Sequence, residues 1–185
     1  MDFKICTIGS LAEMESLPVA KIVDYPLEKR DYRPFAQAII CRNTTHLLLR
    51  LWAFEVTPPQ GSELRAVLYL FSDRPDTALQ VRLTADGDTP RYRVAMATGT
   101  GEEPLANVGF RSWCGEDLQG IYWGGQVAIP LEEIGKLPQP GQLFDGNLYK
   151  LCEAPGHAHQ GSFFPAQWAN PFAPASMGPM QIVEY

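Results

Sequence analysis

The sequence predicts an all-β protein: an antiparallel β-sandwich of jelly-roll or immunoglobulin-like layers, preceded by an irregular N-terminal segment. Three observations carry this. Short apolar runs recur at close spacing and are separated by turn residues rather than by long helical patterns. Gly and Pro number 16 each, and both interrupt regular structure for backbone reasons. Several of the runs alternate strictly, as a strand buried on one face must.

Residues 1–34 are broken by Pro18, Pro26 and Pro34 and are read as an irregular extension packed on the domain. Within them, residues 11–17 suit a short helix, with Ser10 as cap and Glu13 three positions later. The sandwich domain is expected over 35–185. Its strand-like runs are 35–42, 46–56, 64–71, 78–84, 92–98, 105–113, 120–130, 147–152 and 181–185. Residues 131–134 after Pro130 read as one helical turn.

The alternation assigns faces. Leu47, Leu49, Leu51 and Ala53 share one side of their run; Arg50, Trp52 and Phe54 share the other. In the next run Leu64, Ala66, Leu68 and Leu70 oppose Arg65, Val67, Tyr69 and Phe71. In the third, Leu79, Val81 and Leu83 oppose Gln80 and Arg82. The aliphatic faces must be buried, because each exposed aliphatic side chain forfeits about 1.5–3 kcal/mol. The faces mixing aromatics with Arg and Gln are either a second packing surface or a ligand platform.

Composition excludes several functions. The 185 residues carry 15 Lys+Arg against 21 Asp+Glu, a net charge of -6, which argues against a nucleic-acid partner. No apolar run approaches the roughly 20 residues of a membrane-spanning helix. The N-terminal Met1-Asp2-Phe3-Lys4 lacks the apolar core of a secretory leader, so the chain as it stands reads as cytoplasmic, or extracellular if a leader or parent enzyme was removed. Cys6, Cys41, Cys114 and Cys152 are widely spaced and read as thiols, with two disulfides open to an exported protein. Oligomeric state leaves no signature.

Chemistry-bearing motifs are sparse. His157-Ala158-His159 near Cys152 supplies two zinc ligands but no second pair at metal spacing. Asp86-Gly87-Asp88 offers two hard oxygen ligands where calcium needs six or more, and reads as a tight turn. No nucleophile elbow, phosphate loop or dinucleotide fingerprint occurs. A thiol hydrolase built on Cys152 and His157 has no supporting context, and the chain is expected not to be an enzyme.

The C-terminal third is the informative part. It carries Asn147-Leu148-Tyr149-Lys150, then His157-Ala158-His159 and Ser162-Phe163-Phe164-Pro165, then Pro171-Phe172-Ala173-Pro174 leading to Met177-Gly178. Upstream stand Trp123-Gly124-Gly125-Gln126-Val127-Ala128-Ile129-Pro130 and His46-Leu47-Leu48-Leu49-Arg50-Leu51-Trp52. In this order the segments resemble the family 9-like carbohydrate-binding modules of bacteria. The likeness spans most of residues 30–185 in strand order and is detailed over only the last 60 or so. Phe163, Ala173 and Met177 stand where that family more often has Trp, His and Phe.

The resemblance implies a non-catalytic protein that binds a mono- or oligosaccharide, holding it between aromatic rings within a polar rim. It implies no cofactor; calcium, which some family members bind, is the one ion it brings in. The alternative is a sandwich that has lost sugar binding and serves as an interaction or assembly domain. A pyranose needs a flat ring for its C–H face and fixed donors and acceptors for its hydroxyls. Among the four tryptophans, Trp52 and Trp123 lie within strands and read as core, whereas Trp113 and Trp168 lie in or beside loops. The expected site therefore lies at one end of the sandwich, built from Trp113, Asn147, Lys150, His157 and Trp168, since loops gather there. Arg65, Tyr69, Tyr122 and Gln126 form the fallback platform on the aromatic strand faces.

Overall fold

The aliphatic faces predicted above close on one another. Leu47, Leu49, Leu51, Leu64, Leu68, Leu79 and Leu83 are all at most 1% exposed and belong to one continuous core. The computed structural model describes residues 1–29, 34–87 and 89–184. Its strands are β1 (Phe3–Thr7), β2 (Ala20–Ile22), β3 (Phe35–Arg42), β4 (His46–Phe54), β5 (Glu63–Tyr69), β6 (Ala78–Thr84) and β7 (Arg91–Thr98). They continue as β8 (Gly101–Pro104), β9 (Gly109–Asp117), β10 (Gly120–Pro130), β11 (Leu143–Cys152), β12 (His159–Ser162) and β13 (Gly178–Val183). A single helical turn, α1 (Leu131–Ile134), follows Pro130 as predicted.

The strands form one curled sheet in the order β8-β7-β6-β5-β11-β13-β1-β3-β4-β10-β9, with β12 beside β11 and β2 beside β3. One half of the curl, β9-β10-β4-β3, lies over the other, β11-β5-β6-β7, with the aliphatic residues of both between them. This is the expected sandwich. Its strand pairs are antiparallel except at β1, which runs parallel to both β13 and β3. The sheet is thus mixed, and the N-terminal strand joins its two halves.

Among the described residues, 1–29 hold short elements, two of which are strands. β1 alternates Phe3, Ile5 and Thr7 with Lys4 and Cys6, a pattern too short to stand out in the sequence. Residues 11–17, predicted as a helix, form a 3₁₀ turn over Leu11–Ser16, in which the Ser10 amide donates to Glu13 Oε1 at 3.0 Å. The turn buries Met14 on Ile8, Ile39, Cys41 and Leu48, which fixes the segment against the outer face of β3 and β4.

Cys6, Cys41 and Cys152 are buried thiols, and Cys114 is exposed. Burial, with Cys6 directly opposite, pushes the Cys41 thiol up to about 12. Burial likewise raises the Tyr149 phenol. In the unfolded chain such groups ionise near 8.5 and 10. Above about pH 8.5 the folded state therefore holds protons that the unfolded state has lost, and stability falls as pH rises. The thermal midpoint is expected to drop through the alkaline range, with a shallower initial drop in Cys41→Ala; a flat alkaline profile contradicts this.

Candidate functional site

The outer face of β3, β4, β10 and β9 carries side chains in register. Trp52 lies opposite Gly124, and Gly124 lies opposite Trp113. In the adjacent row Ile39 faces Arg50, Arg50 faces Gln126, and Gln126 faces Arg111. Two indoles therefore stand on either side of a residue with no side chain. A Cβ at Gly124 would lie 2.2 Å from the Leu51 carbonyl oxygen and 2.7 Å from Trp52 Cα, so no other residue fits there.

Around this row opens a cleft of about 570 Å³ lined by Glu15, Val19, Ile39, Arg50, Trp52, Arg111, Trp113, Asp117, Tyr122 and Gln126. The N-terminal segment supplies one wall through Glu15 and Val19. Arg50 is held on three sides. Its Nη1 donates to Glu15 Oε1 at 2.7 Å, its Nε donates to Gln126 Oε1 at 3.2 Å, and its Cζ lies 5.5 Å from the Trp113 ring centre. Tyr122 packs edge-on against Phe54, and Gly115 opposite makes way for its hydroxyl: a Cβ there would come within 2.9 Å of it. Asp117 Oδ1 accepts from the Gln119 amide at 2.7 Å. The cleft thus combines two large rings with fixed donors and acceptors, the arrangement a polar ligand with one apolar face requires.

The expected residues are not gathered in one place. Trp113 lines this cleft, but from within β9 rather than from a loop. Tyr122 and Gln126 of the fallback platform line it too. Arg65 and Tyr69 lie on the other layer: Arg65 covers the Phe172 ring at 4.0 Å, and the Tyr69 hydroxyl donates to the Phe172 carbonyl at 2.9 Å.

Asn147 is fully buried. Its Nδ2 donates to the carbonyls of Phe164 and Ser176, and its Oδ1 accepts from the Phe164 and Leu148 amides. It clamps the C-terminal loop onto β11. Lys150 is also fully buried, with Nζ near Ser62, Glu55 and His159. His157 is exposed and lines a separate cavity of about 410 Å³ with Glu55 and His159. Trp168 is half-buried in a small cluster with Tyr149, Phe172 and Met177, its ring edge-on to Tyr149 at 6.2 Å.

Trp168→Ala is accordingly expected to lower stability by about 2 kcal/mol and to leave binding in the cleft intact, as read by denaturant unfolding beside ligand titration. Loss of binding without loss of stability would return the site to the C-terminal loops.

Trp123 is core as expected, 4% exposed, its Nε1 donating to Glu55 Oε2 at 2.8 Å. Trp52 is not: its ring is half-buried and lines the cleft. The sequence does not single out Glu15, Arg111 or Asp117, and places Arg50 only on a mixed strand face. The signal for Trp52 and Arg50 was their place on the face opposite Leu49 and Leu51. The signal for the gap was a Gly-Gly pair inside a long strand, which marks a close backbone approach. Of the turn considered for calcium, Asp88 lies outside the described residues, and Asp86 pairs with Arg91. Among the described residues no cluster of three or more His, Cys, Asp or Glu suits a metal ion.

No family model matches the sequence, and no curated protein matches it. Solved structures do match. A protein from Bacteroides uniformis, described as a candidate carbohydrate-binding protein, superposes with a TM-score of 0.71 at 14% identity, covering 98% of each chain. A family 9 carbohydrate-binding module from Caldicellulosiruptor kristjanssonii in complex with glucose gives 0.63 at 12% identity, over 100% of this chain and 97% of that one. The complex of such a module with cellotriose gives 0.59 at 11%, over 100% and 95%. The expected resemblance is thus met at the level of the fold: the chain has the β-sandwich of the family 9 carbohydrate-binding modules.

Proposed function

We propose that the chain is a non-catalytic module that binds a mono- or oligosaccharide in the cleft between Trp52 and Trp113. The observation that carries this reading is the row Trp52–Gly124–Trp113. Neighbouring strands lie about 4.8 Å apart, so the two tryptophan backbones stand roughly 10 Å apart across β10. Carbon atoms in contact sit about 3.5–4.0 Å apart, so backbones at that separation leave room for one flat ring between indoles that stand upright on the sheet. A pyranose presents C–H groups on its faces and hydroxyls around its edge. The indoles take the faces, and Arg50, Gln126, Tyr122 and Asp117 offer hydrogen bonds to the edge. Glu15 and Gln126 hold Arg50 in place before the ligand arrives, which reduces the ordering cost of binding.

The structural neighbours that hold glucose and cellotriose support the same ligand class. Calorimetric titration with glucose, cellotriose and glucuronate tests the proposal. Saturable binding of at least one, weakened tenfold or more in Trp113→Ala, is the expected outcome. Absence of binding by all three would contradict it.

A further inference from the structure

The row beside the tryptophans is chemically one-sided. Arg50 Nε donates to Gln126 Oε1 at 3.2 Å, which engages one lone pair of that carbonyl and leaves both N–H donors of the amide for the cleft. Arg50 itself has only N–H donors, as has Arg111 across the strand. Arg111 is exposed and enters no ion pair among the described residues, whereas Arg50 is matched by Glu15 at 2.7 Å. The other carboxylate lining the cleft, Asp117, lies six residues further along β9, roughly 20 Å at strand spacing. The Arg50–Gln126–Arg111 end is therefore rich in donors and, with Glu15 set against Arg50, carries one net positive charge on Arg111, whereas the far end is anionic.

Resting on the saccharide reading above, we infer that the preferred ligand is an acidic saccharide: a uronic acid residue whose carboxylate meets the Arg50–Gln126–Arg111 row while its ring lies between Trp52 and Trp113. A hydroxyl both donates and accepts, so a row made mainly of donors uses little more than half of its capacity. A carboxylate accepts only, and guanidinium groups bind it with short, charge-assisted bonds. The spacing agrees. Successive residues on one strand face are about 6.8 Å apart. A carboxylate carried on a ring carbon, with one N–H···O bond of about 2.8 Å, reaches across that step.

The test compares glucuronate with glucose, which differ at this one carbon, by calorimetric titration of the full chain at low and high salt. Glucuronate is expected to bind about fivefold or more tightly than glucose at low salt, the scale of one partly exposed ion pair. The ratio should shrink at high salt as the charges are screened. Arg111→Gln should bring the ratio near one, and Arg111→Lys should retain part of it. Equal affinities, or glucose the tighter, overturn the inference and leave saccharide binding standing. Binding of cellotriose alone does the same. Binding of none of the three overturns both.

Discussion

Replacing Lys150 with Met is expected to destabilise the fold by about 3–5 kcal/mol, the range for removing one member of a buried ion pair. Lys150 Nζ lies 3.3 Å from Glu55 Oε2, 2.5 Å from Ser62 Oγ and 2.8 Å from His159 Nε2. Glu55, 6% exposed, also accepts from Ser62 Oγ and from Trp123 Nε1. Burial lowers the Lys150 pKa, while the neighbouring Glu55 pulls it back up.

The group is a polar seam between the layers: Glu55 follows β4 and Trp123 lies in β10, whereas Ser62, Lys150 and His159 belong to the half built around β5, β11 and β12. Without the lysine, an anion stays buried with two neutral donors. In the pair Lys150→Met with Glu55→Gln, the amide carbonyl still accepts from Trp123, and part of the loss should return. Denaturant unfolding of both variants checks this. A loss below about 1 kcal/mol for Lys150→Met would show that the seam contributes little beyond packing.

Trp52→Ala is expected to weaken saccharide binding by tenfold or more, since anchoring aromatics at binding surfaces commonly contribute about 2 kcal/mol or more. Its effect on stability should be smaller than that of Trp123→Ala, because Trp123 is buried in the core and bonded to Glu55 while Trp52 is half-buried, packed at the edge of the Ile39–Leu48 cluster and open to the cleft. Trp113→Ala should reproduce the binding loss. Titration of these variants alongside their unfolding curves separates the two effects. A Trp52→Ala protein that binds normally but unfolds easily would assign that ring to packing.

The layers were legible in the sequence because burial imposes a period of two. Leu47, Leu49, Leu51 and Leu79, Val81, Leu83 declare their face residue by residue. β1 was not, since five residues give little pattern and its parallel pairing depends on where β13 and β3 end up. The candidate cleft was half legible. Alternation makes the face bearing Arg50, Trp52 and Phe54 aromatic and cationic, but a tryptophan inside a strand is usually enclosed, so Trp52 reads as core.

What was out of reach is the register. Only the pairing of β4 with β10 and β9 sets Trp52, Gly124 and Trp113 in one row, and no local pattern encodes it. The opposite error befell Lys150 and Asn147. Charged and amide side chains beside a loop read as ligand contacts, yet both are enclosed by partners distant in sequence: Ser62 and Glu55 for the lysine, Phe164 and Ser176 for the asparagine.

The most direct measurement of the site is the set of four tryptophan indole N–H resonances during titration with glucose, cellotriose and glucuronate. A saccharide seated between Trp52 and Trp113 shifts those two signals along one saturable curve and leaves those of Trp123 and Trp168 in place. Movement of the Trp168 signal with Trp52 and Trp113 unchanged, or no movement of any of the four, contradicts the cleft as the binding site.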